Sequence, residues 1–385
     1  MRYRTALHID LAALAYNVAE IKRRCPSNEI LFMAKSDAYG HGMIPMVRFA
    51  VLELGIKAFG LATIAEARVL REALPDLQFE AYVFSDTQYD LPELSQVYIG
   101  QRIIPVIADQ AGLKFILADP NLRHLPLCLK VNTGMNRLGF NADELDEVIK
   151  VLQQAGRTSI YHLLSHFASS SSPALKAKTL QQYEVFQAMK KTLQAAGIAV
   201  ERTSIANSGA IEQGIALAES HIRPGLILYG PTSFAADERS LTTWQGKNVS
   251  RLETNVIRSY VAPPGLEVGY GQTPVPTEGT IILVALGYGD GMGRRWEGVT
   301  LPQKILGHTG KVFGRVNMDV AQIFIPQATS LAIRPGMPIT LWGHDPQDIL
   351  SISDQLATIP YELTCQLTPR VPRIYAMPAM AHRQF

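Results

Sequence analysis

Short apolar runs alternate with longer amphipathic stretches over about the first 230 residues of the chain. A run of four to eight apolar residues between turn residues is typical of a buried strand, whereas apolar residues spaced three and four apart are typical of a helix. The strand pattern predicts eight strands, at residues 30–34, 58–62, 79–84, 102–107, 126–132, 160–166, 201–206 and 221–223.

Helical patterns separate most of these strands. Asp10 can cap a helix that begins at Leu11. Thr63 and Glu66 have the spacing of a capping box at the start of a helix that extends to Leu74. Further helices are predicted at residues 109–117, 143–155, 175–196 and 208–218.

Regular alternation of strand and helix favours a parallel sheet, and eight repeats without a break fit a closed barrel better than an open sheet. The connections around the second strand are weakly patterned, so seven or nine strands remain open. After Tyr229 the pattern changes to short strand-like runs at 250–261, 280–286, 303–306, 311–316, 320–325, 338–342 and 373–375, with one helix at 346–357. We therefore predict an α/β fold with an N-terminal (β/α)8 TIM-type barrel at residues 1–235 and a mainly β domain at residues 236–385.

The composition is that of a soluble globular enzyme, with 47% hydrophobic and 18% charged residues in a chain of 385. A net charge of +2 provides no basic field, so we expect no nucleic-acid partner. The chain has no apolar run long enough to span a bilayer and does not begin like a signal peptide, so we expect a cytoplasmic protein without membrane contact. Cys25, Cys128 and Cys365 lack the spacing of metal ligands, which predicts reduced thiols and no metal site.

Lys35 is the first candidate for chemistry. It follows the apolar run at 30–34 and precedes Tyr39, Gly40 and Gly42. Burial beside a strand end lowers the pKa of a lysine amine toward a nucleophilic range, which suits Schiff-base formation with an aldehyde. The alternative from this segment alone is a surface lysine just past a strand.

Other polar residues also follow strand ends, and in a barrel the carboxyl ends of the strands meet at one face. They are Asn132–Arg137 after the fifth strand, His166 at the end of the sixth, Asn207–Gly209 after the seventh and Arg223–Leu226 after the eighth. Ser208 and the main-chain amides near Gly209 and Gly225 predict an anion site. A lysine and a phosphate site on one rim suggest pyridoxal phosphate. Taken singly, His166 could be a hydrogen-bonded core residue, and Arg137 and Arg223 could be structural ion-pair residues.

Taken together, these segments resemble alanine racemases, which belong to the fold-type III pyridoxal-phosphate enzymes. The resemblance covers nearly the whole chain. It is carried by nine motifs in family order: Ala34–Gly42, Lys130–Gly139, Ser165–Ala168, Ala206–Ser208, Arg223–Gly225, Val268–Gly271, Gly287–Gly291, Gly314–Asp319 and Arg370–Arg373.

The resemblance implies a role for each of these segments. Lys35 would hold the cofactor and act as the base on the D-side of the substrate α-carbon. Tyr270, from the second subunit of a homodimer, would act on the L-side, since racemisation needs a proton donor and an acceptor on opposite faces. Arg137 would be the partner of Tyr270 and lie near the substrate carboxylate. Tyr288 and Met318 of the second subunit would line the substrate entrance.

At the cofactor, the resemblance implies that Arg223 donates to the pyridine nitrogen while His166 holds its guanidinium. Arginine does not give up its proton in practice, so the ring would be a weaker electron sink, which favours reprotonation at the α-carbon over transamination. The remaining cofactor-binding residues would be Tyr39, Asn207, Ser208, Gly225 and Leu226. Family members often carry a carbamylated lysine at the position of Lys130, which would place negative charge near Arg137.

Two positions depart from some relatives. Asn317 stands where several have cysteine, and Pro369 stands where some have a tyrosine that contacts the phosphate, so we expect one lost hydrogen bond and a wider pocket. Excluding one hydroxyl or methylene contributes only about 1–3 kcal/mol of discrimination, which leaves serine or broader amino-acid racemisation as alternatives to alanine.

Other functions are disfavoured by what the chain lacks or adds. A same-fold decarboxylase would carry a GGG-type phosphate loop and a late cysteine–aspartate motif, and neither occurs. A non-catalytic pyridoxal-phosphate carrier would stop near the end of the first domain. In a purely structural interpretation, Tyr270 and Tyr288 pack in the β domain, which leaves the glycines on either side of each unexplained. Whether the reaction supplies D-alanine or degrades it is left open.

Overall fold

The computed structural model describes residues 3–86, 91–343 and 345–376. Its strands, numbered β1 to β19 in chain order, are Thr5–Asp10, Glu29–Met33, Ala58–Leu61, Glu80–Val83, Ile103–Ile107, Cys128–Lys130, Ser159–Ile160, His162–Leu164, Ala199–Val200, Thr203–Ser204, His221–Ile222, Ser250–Ala262, Glu267–Val268, Thr273–Pro274, Gly279–Val284, Lys311–Val312, Ala321–Pro326, Pro338–Trp342 and Arg373–Ala376. Its helices, α1 to α11, are Leu11–Arg24, Lys35–Gly40, Met43–Leu52, Ile64–Ala73, Pro92–Gly100, Gln110–Ala118, Leu145–Gln154, Lys176–Ala195, Ser208–Gln213, Pro346–Gln355 and Pro360–Cys365.

Eight parallel strands form a closed barrel in the order β2, β3, β4, β5, β6, β8, β10 and β11, and β11 pairs with β2 to close it. Each of the eight overlaps one predicted strand, so the predicted barrel and its strand count are confirmed. The strands read as continuous apolar runs because both faces of a barrel strand are covered, one by the interior and one by helices.

Side-chain caps begin several helices as the sequence predicts. Asp10 accepts hydrogen bonds from the backbone N–H groups of Ala12 and Ala13. Thr63 accepts from the N–H of Glu66, but the Glu66 carboxylate accepts from Ala62 rather than from Thr63. The predicted capping box is therefore only half formed. The other carboxylate oxygen of Glu66 is available to the loop that follows Lys35.

The second domain is built on a seven-stranded sheet ordered β16, β17, β15, β12, β1 and β19, with β18 also paired to β12. Strand β1 pairs antiparallel with β12 and parallel with β19, burying Leu7 and Ile9 completely. The first described strand therefore belongs to the second sheet, whereas the predicted division placed residues 1–235 in the barrel. The predicted strand at 303–306 is also wrong, because this segment makes only an isolated bridge between Ile305 and His308.

The second domain holds the loop after the first barrel strand. Arg373 donates to the carbonyl oxygen of Gly40 at 2.9 Å, and the Tyr375 hydroxyl donates to the carbonyl oxygen of His41 at 2.9 Å. Helix α11 packs against α2 at the same place. No helix in the described ranges is both long enough and apolar enough to cross a membrane.

Candidate active site

A cavity of about 640 Å³ opens at the carboxyl ends of the barrel strands. Nine of the predicted site residues line it: Lys35, Tyr39, Lys130, Arg137, His166, Asn207, Ser208, Arg223 and Gly225. These residues lie at the ends of five different strands, and only closure of the barrel brings them together. The lining also includes Phe84, Ile359, Tyr361 and Cys365.

The loop that presents Lys35 has an uncommon backbone. The four residues from Ser36 to Tyr39 all have φ near +54°, the left-handed region that costs non-glycine residues about 1–2 kcal/mol each. Hydrogen bonds offset this strain: the N–H of Ser36 donates to the Glu66 carboxylate at 2.8 Å, and the N–H of Met43 donates to Asp37 at 2.7 Å. Strain maintained by surrounding bonds is typical of functional loops.

Positive charge is concentrated around the cavity. Burial, and next the charge of Arg137, lowers the pKa of Lys35. Burial, and then Arg223, Arg137 and Lys35, lowers the pKa of Lys130 to about 8. Each cation makes its neighbours easier to deprotonate, and the site as a whole favours an anionic ligand.

Arg223 is only 4% exposed and burial lowers its pKa to about 10, so it stays charged at neutral pH. Its Nη1 donates to the Ser204 hydroxyl at 2.5 Å, and its Nη2 donates to the carbonyl oxygen of Ser165. The distance from Nη2 to His166 Nδ1 is 3.5 Å, so the predicted His166 contact is long. Burial, followed by Arg223, holds the pKa of His166 well below its usual value, and the neutral ring can accept this bond. In the described part of the chain Arg223 makes no salt bridge with a carboxylate.

Two main-chain amides donate to hydroxyl groups at the predicted phosphate end of the cavity. The N–H of Gly225 donates to Ser208 at 2.9 Å, and the N–H of Leu226 donates to the Tyr361 hydroxyl at 3.0 Å. A Cβ at residue 225 would lie 3.0 Å from the Tyr39 hydroxyl, so a larger residue would require that hydroxyl to shift. The two amides and three hydroxyls fit the donors that a phosphate group requires.

Asn207 serves mainly as a cap. Its side chain accepts from the N–H of Ala210 at 3.3 Å, at the start of helix α9, and from the Ser170 hydroxyl at 2.5 Å. This fixes the turn that presents Ser208.

Tyr361 is the site residue that the sequence reasoning missed. Its ring packs 5.0 Å from the ring of Tyr39, and its hydroxyl lies among the phosphate-end donors. Helix α11 therefore places a tyrosine hydroxyl, eight residues before Pro369, at the end of the cavity where the Pro369 prediction expects one to be missing. The available signal was an aromatic residue beside Pro360, which marks a helix start near the end of the chain.

The structure does not bring Tyr270, Tyr288 and Met318 to this cavity; their side chains are 70%, 42% and 53% exposed. Tyr270 lies at the tip of the hairpin formed by β13 and β14. Main-chain hydrogen bonds join the segment of Tyr288 to that of Met318. The N–H of Tyr288 donates to the carbonyl oxygen of Asn317 at 3.0 Å, and the N–H of Gly289 donates to that of Met318 at 2.9 Å. All three are surface residues of the single chain.

Comparison with known proteins agrees with this architecture. Residues 9–233 match the family described as alanine racemase, N-terminal domain, and residues 249–375 match alanine racemase, C-terminal domain. An alanine racemase of Acidithiobacillus ferrooxidans is 32% identical over 95% of this chain and 97% of its own length. A catabolic alanine racemase of Pseudomonas putida is 33% identical over 95% of this chain and 97% of its own. The crystal structure of alanine racemase from Streptomyces lavendulae superposes with a TM-score of 0.85, 26% identity and 98% coverage of both chains. The chain therefore belongs to the alanine racemase family.

Proposed function

We propose that this protein interconverts L-alanine and D-alanine with pyridoxal 5'-phosphate, using Lys35 and Tyr270 as its two acid–base groups. The observation that carries the proposal is the shared cavity, where an amine of lowered pKa, a buried guanidinium and a set of phosphate-type donors converge. Family membership supports the same reaction.

The residues fit the cofactor at three points. Ser208, Tyr39, Tyr361 and the amides of Gly225 and Leu226 would hold the phosphate. Arg223, a buried cation without a carboxylate among the described residues, would donate to the ring nitrogen. Lys35 would hold the cofactor covalently.

When bound, the cofactor supplies a ring that withdraws electrons from the substrate α-carbon. The Lys35 amine would exchange a proton with one face of that carbon and the Tyr270 phenol with the other. Arg137, which lines the cavity, would bind the substrate carboxylate and neutralise charge near the phenol. Arg223 keeps its proton, which limits how far the ring draws electrons away and so favours return of the proton to the α-carbon.

Tyr270 would act in trans. It is 70% exposed on its own chain and lies outside the cavity, which supports a homodimer in which each site receives Tyr270, Tyr288 and Met318 from the other subunit. We place this dimer in the cytoplasm, in keeping with its reduced thiols. Lys130 would be carbamylated, because a pKa near 8 leaves part of its amine neutral and reactive toward carbon dioxide beside Arg137.

Serine or broader amino-acid racemisation is the nearest alternative. Tyr361 lies at the predicted phosphate end, where the proline at position 369 predicts extra width, and this favours alanine. A decarboxylase or a non-catalytic carrier is disfavoured by the match of the second domain over residues 249–375.

The test is to load the purified protein with pyridoxal phosphate, reduce it with borohydride and map the labelled peptide. We expect a visible absorbance band, label on Lys35, and exchange of the alanine α-hydrogen with solvent deuterium. Lys35→Ala should abolish labelling and exchange, whereas Lys57→Ala, a change at an exposed lysine beside a neighbouring strand, should preserve both. Failure to bind the cofactor, or binding without α-hydrogen exchange, would refute the proposal.

A further inference from the structure

A row of polar side chains crosses the barrel interior from the cavity toward its opposite end. It begins where Arg223 donates to Ser204 at 2.5 Å and continues from Ser204 to His162 Nε2 at 2.9 Å. His162 Nδ1 lies 3.3 Å from the Tyr82 hydroxyl, which donates to the Glu80 carboxylate at 3.1 Å. We call Ser204, His162, Tyr82 and Glu80 the barrel row.

The middle of the row is sealed from solvent. Ser204, His162 and Tyr82 are fully buried. Glu80 lies at the start of β4, at the amino end of the barrel, where its side chain is 30% exposed. It also accepts hydrogen bonds from Arg202 at 2.7 Å and from the hydroxyl of Tyr161.

The donors and acceptors available on each side chain fix the direction of the hydrogen bonds along the row. Guanidinium groups only donate, so Ser204 must accept from Arg223 and use its own proton elsewhere. His162 Nε2 is the acceptor for that proton among the described residues, so the ring hydrogen lies on Nδ1 and is donated to Tyr82. Burial, and next His221, holds the pKa of His162 well below its usual value, which agrees with a neutral ring. The opposite tautomer would leave the buried Ser204 proton without an acceptor there.

We propose that the barrel row positions Arg223. Four successive hydrogen bonds, the first of them donated by Arg223 itself, all point in one direction from the guanidinium to the Glu80 carboxylate. Successive bonds that point the same way polarise one another, so the carboxylate makes the Ser204 oxygen a stronger acceptor for Arg223. At 2.5 Å this contact is much shorter than the 3.5 Å contact with His166. Ser204, His162 and Tyr82 are therefore positioning residues that act through Arg223. The inference rests on the proposed function, in which Arg223 faces the cofactor ring nitrogen.

The first test needs no cofactor. Protein labelled with 15N-histidine is examined by NMR, and His162 is assigned among the nine histidines by comparison with His162→Gln. We expect a neutral ring with hydrogen on Nδ1 in the wild type, and a mixture of tautomers in Ser204→Ala. Hydrogen on Nε2, or a mixture in the wild-type protein, would overturn the inference whatever the activity proves to be.

The second test uses the loaded enzyme. Tyr82→Phe removes the bond to Glu80 while keeping the ring, and it should lower kcat about tenfold with little change in KM, because a guanidinium displaced by a fraction of an ångström fits the ring nitrogen less well. It should also shift the visible absorbance of the bound cofactor. The control is Tyr183→Phe, which removes another tyrosine–carboxylate bond, to Glu219, outside the row. If the wild type binds cofactor and racemises alanine while Tyr82→Phe matches Tyr183→Phe in kcat and spectrum, the inference is wrong and the proposed function stands.

Discussion

The main-chain N–H of Leu226 donates to the hydroxyl of Tyr361 at 3.0 Å, which joins the last strand-end loop of the barrel to a helix of the second domain. The contact lies at the predicted phosphate end of the cavity, where the N–H of the preceding residue, Gly225, donates to Ser208. Both domains therefore contribute to the same candidate site within one chain.

Tyr361→Phe should weaken cofactor binding. A hydrogen bond to a charged group contributes about 1.5–3 kcal/mol, so we expect the dissociation constant of pyridoxal phosphate to rise about tenfold or more. The measurement is an absorbance titration of the cofactor-free protein. Tyr183→Phe, remote from the cavity, is the control and should leave the dissociation constant unchanged. Equal affinities for the wild type and Tyr361→Phe would show that the hydroxyl does not contact the phosphate.

Mixing two inactive variants should restore activity if the sites are shared. With Lys35→Ala and Tyr270→Phe subunits exchanged at random, half of the dimers are hybrids and each hybrid has one intact site, so we expect about a quarter of wild-type activity. A mixture of Lys35→Ala and Arg223→Ala should stay inactive, because both residues belong to the same subunit's cavity. An inactive first mixture would contradict the placement of Tyr270 in trans.

Lys130 should carry a labile modification. Its pKa of about 8 implies a substantial neutral fraction in mildly alkaline solution, and a carbamate there would be stabilised by Arg137. Native mass spectrometry should find the wild type heavier than its sequence by one carbon dioxide, with the excess lost in acid and absent from Lys130→Ala. If the wild type in bicarbonate buffer has the mass of the unmodified chain, the prediction is contradicted.

Gly40→Ala should destabilise the protein strongly, because a Cβ there would overlap the carbonyl oxygen of Thr364 in the second domain. Gly55 is the matched control: it also has positive φ, at +67° against +80° for Gly40, but has no atom within 4 Å of the added carbon. Gly55→Ala should cost about 1 kcal/mol from backbone strain alone. Gly40→Ala should cost at least about 2 kcal/mol more in urea unfolding, and similar losses in both variants would argue against the close approach.

His41 should make the protein less stable in acid. Burial lowers its pKa from 6.5 to about 4 in the folded state, so its neutral form supports folding fully above pH 6.5. That support is lost as the pH falls from 6.5 toward 4, because the unfolded chain takes up the proton first, and the total is about 3 kcal/mol. Urea unfolding between pH 8 and pH 5 should show a smaller acid-induced loss for His41→Gln than for the wild type. His124→Gln, at an exposed histidine, should match the wild type, and parallel curves for all three proteins would contradict the effect.

Much of the barrel could be predicted because a strand covered on both faces must be apolar throughout. That pattern located all eight strands, and with them the strand ends that carry Lys35, His166 and Arg223. Helix starts were predictable for a similar local reason, since Asp10 satisfies nearby amides through its own side chain. The first strand, β1, was missed because its partners lie about 240 and 365 residues further along the chain.

By itself, the sequence determined the local elements, the lysine at a strand end and the family motifs, because each depends on neighbouring residues or on residue type. Only the tertiary structure decided that the Tyr361 hydroxyl lies beside the Leu226 amide, that Ser204 lies closer to Arg223 than His166 does, and that the first described strand belongs to the second sheet. These relationships join residues far apart in the chain, and their distances are set by barrel closure and domain packing, which no local pattern encodes.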